Sequence, residues 1–372
     1  MLNLDGTKIS LHKERLEAFL RGERIAPITI DMALTQKCQM ACVFCYANLQ
    51  QYPSDPISWE VYENFLEDCT TIGHAPGEGV KAISLVSDGE STLNKFYYRF
   101  IEKAHSIGID IASGTNGEAL KKEMMPMLVD NLTYLRINFN AATPKANAKI
   151  MGTTEKAFER VISNVEELVR VKRERGSNVS LGLQMVLMPA YGDQILPLAK
   201  FGKTLGVDYL VIKHCSDDEA GRLGVDYAWY KKPEVLDLLR QAEDESTKDY
   251  SVQVKWSKIK TGRDREYSKC YGTALHLQMS GSGIVAPCGS FFHERYKRFH
   301  IGDIAVTRFK DIWASQAYKD VIDYLKSEHF DPRKECATLC LQDRTNLALF
   351  NLIEKGEALP ETPENIHGRN FL

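Results

Sequence analysis

An α/β fold built on a parallel sheet is the architecture this sequence predicts, and three observations carry the prediction. Apolar runs of strand length recur at 28–34, 81–87, 108–113, 133–139, 179–187 and 207–213. Helical spacing of apolar residues fills the gaps, at 58–73, 95–106, 117–128, 155–174 and 193–204. Such crossovers are what parallel strands need, because a tight turn cannot join them. The chain is also long enough, at 372 residues with 44% hydrophobic content, for one large domain and a smaller one. Alternation alone fits a barrel and a doubly wound sheet equally well.

Residues 1–27 read as a lead-in, with Ser10 capping a short helix from Leu11 to about Leu20. Ile28 to Leu34 then forms a buried strand that delivers Cys38-Gln39-Met40-Ala41-Cys42-Val43-Phe44-Cys45-Tyr46. Three cysteines at this spacing can grip three corners of an iron–sulfur cube and leave the fourth iron open to a small molecule. Plain buried thiols and structural zinc are the other readings, but zinc usually wants a fourth ligand nearby.

The C-x3-C-x2-C motif followed by an aromatic residue resembles the radical SAM superfamily. The resemblance implies a 4Fe-4S cluster on Cys38, Cys42 and Cys45 that binds S-adenosylmethionine and cleaves it to a 5′-deoxyadenosyl radical, with Tyr46 beside the cofactor. It also decides the architecture: a partial (β/α)6 TIM-like barrel with a small C-terminal α+β cluster-binding domain. We expect the barrel at 28–225, a bridging segment at 226–262, the auxiliary domain at 263–345 and a tail at 346–372.

In a barrel the functional residues follow the strands. After the second strand, Ser87-Asp88-Gly89-Glu90-Ser91 is similar to the family's G-G-E-P motif, which holds the amino group of the cofactor. Gly89 and Glu90 carry over; Asp88 and Ser91 depart from the pattern. Gly114-Thr115-Asn116-Gly117 is similar to the family's T-N-G, so Thr115 and Asn116 become cofactor candidates. Asn138 on the fourth strand and Gln184 on the fifth are candidates for the cofactor's ribose or carboxylate. The sixth strand ends in Lys213-His214-Cys215, a dense group of reactive side chains. Lys213 and His214 can bind an anionic or hydroxylated substrate or move protons, and Cys215 can return a hydrogen atom to a carbon radical. The following Asp217-Asp218-Glu219 reads as a solvated turn, and Cys69 as plain core.

In the bridge, Pro233 to about Glu245 has helical spacing and 252–256 alternates as a strand. Tyr227, Tyr230, Trp256 and Lys258 are there, with nothing to raise them above packing. Beyond it, Leu275–Met279 and Ile284–Cys288 flank Ser-Gly-Ser-Gly, a hairpin signal. Gly283 and Cys288 resemble the G-x4-C of SPASM and twitch domains, with Cys270 as the opening cysteine. Cys336 and Cys340 form a C-x3-C expected on a following helix. Four cysteines rather than seven imply one auxiliary 4Fe-4S cluster with every iron ligated by protein, or, on the cysteines alone, a zinc site.

The net charge of -3 gives no reason to expect nucleic acid. The absence of a long apolar run argues against a membrane partner, and the charged N-terminus argues for a cytoplasmic protein. Together these readings predict an oxidation of a small polar metabolite, with a flavodoxin- or ferredoxin-type electron donor and a peptide substrate left open. An epimerase or peptide-modifying maturase using Cys215 is the alternative. A metal-bearing binding scaffold without turnover, or a nucleophilic enzyme built on Cys215 and His214, would be of another class.

Overall fold

The computed structural model describes residues 8–52, 54–261, 264–338 and 340–372. The first seven residues of the expected lead-in and the 262/263 domain boundary lie outside them. The lead-in contains α1 (Lys13–Leu20). Six parallel strands follow in chain order: β1 (Thr29–Met32), β2 (Ala82–Leu85), β3 (Asp110–Thr115), β4 (Leu132–Asn138), β5 (Ser180–Leu187) and β6 (Tyr209–His214). Between them run α2 (Trp59–Thr71), α3 (Tyr97–Ser106), α4 (Met125–Asn131), α5 (Pro144–Met151), α6 (Glu155–Arg175) and α7 (Ile195–Leu205).

The helix expected at 117–128 begins only at Met125, where Pro126 sits in the first turn and its fixed φ favours helix entry. Helix α5 was not expected, although its signals are present: Thr143 caps Ala146, Pro144 opens the helix and Gly152 closes it with φ +58°. The bridge supplies α8 (Pro233–Glu243) and β7 (Ser251–Val254), which pairs parallel with β6. Trp256 belongs not to that strand but to α9 (Trp256–Thr261).

The C-terminal hairpin is β8 (His276–Met279) and β9 (Ile284–Ala286), followed by β10 (Gly302–Asp303). It does not stand apart from the barrel. Strand β8 pairs parallel with β1, so among the described residues one open sheet of ten strands runs β10-β9-β8-β1-β2-β3-β4-β5-β6-β7. Helices α10 (Phe309–Ala314) and α11 (Gln316–Lys326) pack outside this added edge, and the Arg308 guanidinium grips the Asp68 carboxylate of α2 at 2.6 and 3.0 Å. The short α12 (Pro332–Glu335) ends before Cys336, so Cys336 and Cys340 lie in the loop to α13 (Asp343–Lys355), not on a helix.

Most apolar side chains fill the layer between sheet and helices. A separate small cluster, Ala82, Ala112, Tyr134, Tyr209, Val211 and Phe371, fills the lower lumen. Phe371 comes from the tail, which folds back on the barrel: its ring meets Tyr134 edge-on at 5.1 Å. The Thr29 hydroxyl donates to the Asn370 carbonyl at 2.7 Å, and the Lys8 ammonium to the Gly368 carbonyl at 2.8 Å.

Candidate active site

The three-cysteine loop is held from three sides. Ala41 N–H donates to the Gly152 carbonyl at 3.3 Å, and Val43 N–H to the Ile150 carbonyl at 3.0 Å, so α5 carries one side. A Cβ on Gly152 would lie 2.2 Å from the Ala41 carbonyl oxygen. On the other side Gly89 and Gly281 press on the Thr35–Gln36 backbone. A Cβ on Gly89 would stand 2.1 Å from the Thr35 oxygen, and one on Gly281 2.3 Å from the Thr35 carbonyl carbon. Gly89 also has φ +78°, a conformation that disfavours any side chain.

The cofactor candidates converge beside Cys38. Glu90 is buried, and its carboxylate accepts hydrogen bonds from Thr92 Oγ1 (2.6 Å), Thr115 Oγ1 (2.7 Å) and Asn116 N–H (2.7 Å). Burial nevertheless pushes its carboxyl up from the usual range. The Asn116 amide faces Gln39 at 3.2 Å and the Cys38 sulfur at 3.8 Å. Across the lumen, Gln184 Nε2 donates to Asn138 Oδ1 at 2.7 Å. Gly89, Glu90, Thr115, Asn116, Asn138 and Gln184 line one cavity of about 280 Å³ that also receives Cys38, Cys42, Cys45 and Tyr46.

The departures from the motif have physical roles. Asp88 accepts from Ser280 Oγ (2.7 Å), Gly281 N–H (2.8 Å) and Gln36 Nε2 (2.8 Å), and so clamps the hairpin turn to the cysteine loop. Ser91 Oγ accepts the Leu34 N–H at 3.1 Å.

At the end of β6 the three candidates part. Lys213 lines the cavity. His214 also reaches it, but its Nδ1 lies 2.9 Å from the Cys215 carbonyl and its Nε2 2.7 Å from the Lys258 carbonyl. Burial lowers its pKa to about 4. His214 thereby ties the end of β6 to α9. Cys215 does not line the cavity: its thiol faces the Phe44 carbonyl at 3.5 Å, and burial pushes it up to about 12. The chain leaves the sheet after His214, so strand alternation no longer aims the next side chain inward. The acidic turn is not solvated either. Asp217 and Asp218 are buried; Asp217 accepts the Leu223 N–H at 2.9 Å, and Asp218 pairs with Arg222 at 2.6 Å.

Cys69 is fully buried core. The second cysteine group gathers under the hairpin. Burial first, then Cys340 and Cys288, push the Cys270 thiol up to about 12. Arg265 donates to the Pro332 and Ala337 carbonyls and so fixes the Cys336–Cys340 loop. Among the described residues no three His, Cys, Asp or Glu side chains converge on a single ion position. Zinc would need sulfurs drawn in to about 2.3 Å. Cys270, Cys288, Cys336 and Cys340 lie close enough for their charges to act on one another, and four such sulfurs can ligate every iron of one cube.

Five lining residues carry charge or proton chemistry that the sequence reading missed or left as packing: Arg136, Lys255, Lys258, Asp31 and His276. His276 Nε2 stands 3.0 Å from Asp31 Oδ2, and Gln278 Nε2 donates to the same oxygen at 3.0 Å. Burial pushes the Asp31 carboxyl up, but His276, Arg136 and Gln278 together outweigh it and hold the group below its usual range. Of the bridge residues left as packing, Lys258 alone reaches the cavity; Tyr227, Tyr230 and Trp256 do not.

Residues 32–201 match the model of the Radical SAM superfamily, and residues 270–341 match SPASM, an iron–sulfur cluster-binding domain. The chain thus carries a radical SAM domain and a SPASM domain, with 4Fe-4S clusters and S-adenosylmethionine as the cofactors these imply. It is similar to a probable GTP 3′,8-cyclase of Thermococcus kodakarensis, 22% identical over 209 residues, which is 55% of this chain and 62% of that protein. The chain therefore spans less than two thirds of that relative. A probable GTP 3′,8-cyclase of Methanothermobacter marburgensis is 22% identical over 269 residues, 70% of this chain and 84% of that protein. Among solved structures, Streptococcus suis SuiB bound to S-adenosylmethionine superposes with a TM-score of 0.63 at 16% identity, covering 84% of this chain and 72% of that one. Among the described residues no helix is long and apolar enough to cross a membrane.

Proposed function

We propose that this radical SAM enzyme dehydrogenates a small polar substrate in the barrel lumen. The observation that carries the reading is one cavity walled on one side by the three-cysteine loop and on another by β8 of the SPASM hairpin. At about 280 Å³ it is at the small end of ligand pockets. With the cofactors bound, the chemistry supplied is reductive cleavage of S-adenosylmethionine, removal of a substrate hydrogen atom, and uptake of the remaining electron by the auxiliary cluster.

The chain's own residues do the rest. Cys38, Cys42 and Cys45 hold the first cluster; Cys270, Cys288, Cys336 and Cys340 hold the second. Glu90 offers its carboxylate to the cofactor's ammonium group, with Thr115 and Asn116 fixing it. Asn138 and Gln184 face the cofactor's polar groups, and Tyr46 covers the cluster loop. The sheet and the tail exclude water, which would otherwise quench a carbon radical. A dehydrogenation also releases a proton, and His276, oriented by Asp31, takes it. A ferredoxin- or flavodoxin-type donor supplies the priming electron. Epimerisation is the weaker reading, because Cys215 is not among the residues that line the cavity. A peptide, as in the SuiB complex with its precursor peptide SuiA, would fit this lumen by a side chain alone.

Anaerobic iron and sulfide analysis with EPR tests the reading. About eight irons are expected in the wild type and about four in the Cys38→Ala/Cys42→Ala/Cys45→Ala variant, at four per cube. S-adenosylmethionine should alter the spectrum only in the wild type. About four irons plus zinc in the wild type would remove the electron acceptor and with it the dehydrogenation.

A further inference from the structure

The lumen is more positive than its cofactors explain. Arg136 of β4, Lys213 of β6, and Lys255 and Lys258 at the start of α9 all line the cavity. Among the described residues Arg136, Lys213 and Lys258 form no ion pair, and the buried Arg136 Nε has no hydrogen-bond partner. The carboxylates on the same wall make their hydrogen bonds elsewhere, although Asp31 still acts on Arg136 and Lys258 through space. Asp31 is taken by His276 and Gln278. Glu90 is taken by Thr92, Thr115 and Asn116. After burial itself, Arg136 and Lys258 depress the Lys213 ammonium far below its ordinary value, so these three cations repel one another across the cavity.

Like charges gathered in a low-dielectric cavity destabilise a fold unless an anion joins them. The sulfurs of the second cysteine group act on Lys258 through Cys340, and the single carboxylate of S-adenosylmethionine would not also compensate Arg136 and Lys213. We propose that Arg136, Lys213 and Lys258 form an anion-binding site for the substrate, which bears a phosphate or carboxylate group. The proposal deepens the reading above by naming the substrate class of the same cavity. It stands or falls on binding, without turnover.

The test uses the anaerobically reconstituted holoprotein with saturating S-adenosylmethionine. Thermal shift and calorimetry are followed during titration with inorganic pyrophosphate or citrate at constant ionic strength. A saturable stabilisation is expected in the wild type and in Lys297→Met, a control on the outer surface. Lys213→Met and Lys258→Met should weaken it about tenfold, the scale of one charge-assisted hydrogen bond. Response to pyrophosphate alone identifies a phosphate-bearing substrate, and response to citrate alone a carboxylate. Lys213→Met should also melt no lower than the wild type without anion, because it removes an uncompensated buried charge. Equal anion responses in wild type and Lys213→Met would overturn the proposal. So would a response that saturating S-adenosylmethionine abolishes, since the cations would then serve the cofactor's own carboxylate. A lower melting temperature of anion-free Lys213→Met would likewise overturn it, by showing that the lysine is compensated within the fold.

Discussion

At the scale of single residues, the close approach at Gly89 sets a sharp limit. Alanine there would enter the left-handed region, at about 1–2 kcal/mol, and its Cβ would strike the Thr35 carbonyl. Gly89→Ala should lower both the melting temperature and the iron content, because the displaced backbone leads directly into Cys38. Unchanged iron content would show that the cysteine loop is not braced by this contact. Gly89 and Glu90 were legible because a local motif carried them. Thr115 and Asn116 were legible for the same reason, and the structure adds that they hold Glu90. Asp31 and His276 were not legible. They sit on strands 245 residues apart in the chain, and nothing local signals that β1 and β8 become neighbours. Lys258 was hidden by α9, which was read partly as strand.

At the scale of elements, the hairpin turn and the G-G-E-P-like loop act as one unit through Asp88. Burial raises the Asp88 carboxyl, and the hydrogen bonds from Ser280, Gly281 and Gln36 offset that only in part. Asp88→Ala strips an acceptor from three donors, each costing about 1–3 kcal/mol if left unpaired in the interior. Hydrogen exchange should then rise at Ser280–Ile284 and in the 35–37 loop together. A rise in only one of the two would show that they open independently. The six central strands were legible from periodicity. The boundary of α4 and the whole of α5 were not, because short helices leave little room for periodicity and are announced by caps and prolines alone. Helix α5 matters beyond its length, since its C-terminal end carries the outer edge of the cysteine loop.

At the scale of the whole molecule, the tail closes the bottom of the lumen that the cysteine loop and its cofactors cover from above. Phe371 is 1% exposed. Phe371→Ala should cost about 3–5 kcal/mol as a buried aromatic deletion, and it should admit water to the lower lumen. The measurable sign is faster formation of 5′-deoxyadenosine without substrate, as solvent-linked hydrogen sources reach the site. A variant that is destabilised yet no leakier would show that the plug serves stability alone. The sequence announced a tail without a place for it, because its partners Thr29, Thr133 and Asp110 belong to the beginnings of three barrel strands.

The pairing of β8 with β1 also bears on how the protein comes to exist. Strand β1 is made early in synthesis, yet its second neighbour arrives about 250 residues later, so the barrel waits with one edge of unpaired N–H and carbonyl groups. Such an edge is a template for other chains, and contacts this distant in sequence form slowly. Ribosome-bound chains that end before the hairpin are therefore the aggregation-prone species. The Thr35–Gln36 backbone that leads into the cysteine triplet is pressed between Gly89 and Gly281, so it has its complete seat only once the hairpin has docked. Maturation is thereby ordered: the peptide must be nearly finished before the first cluster site is whole.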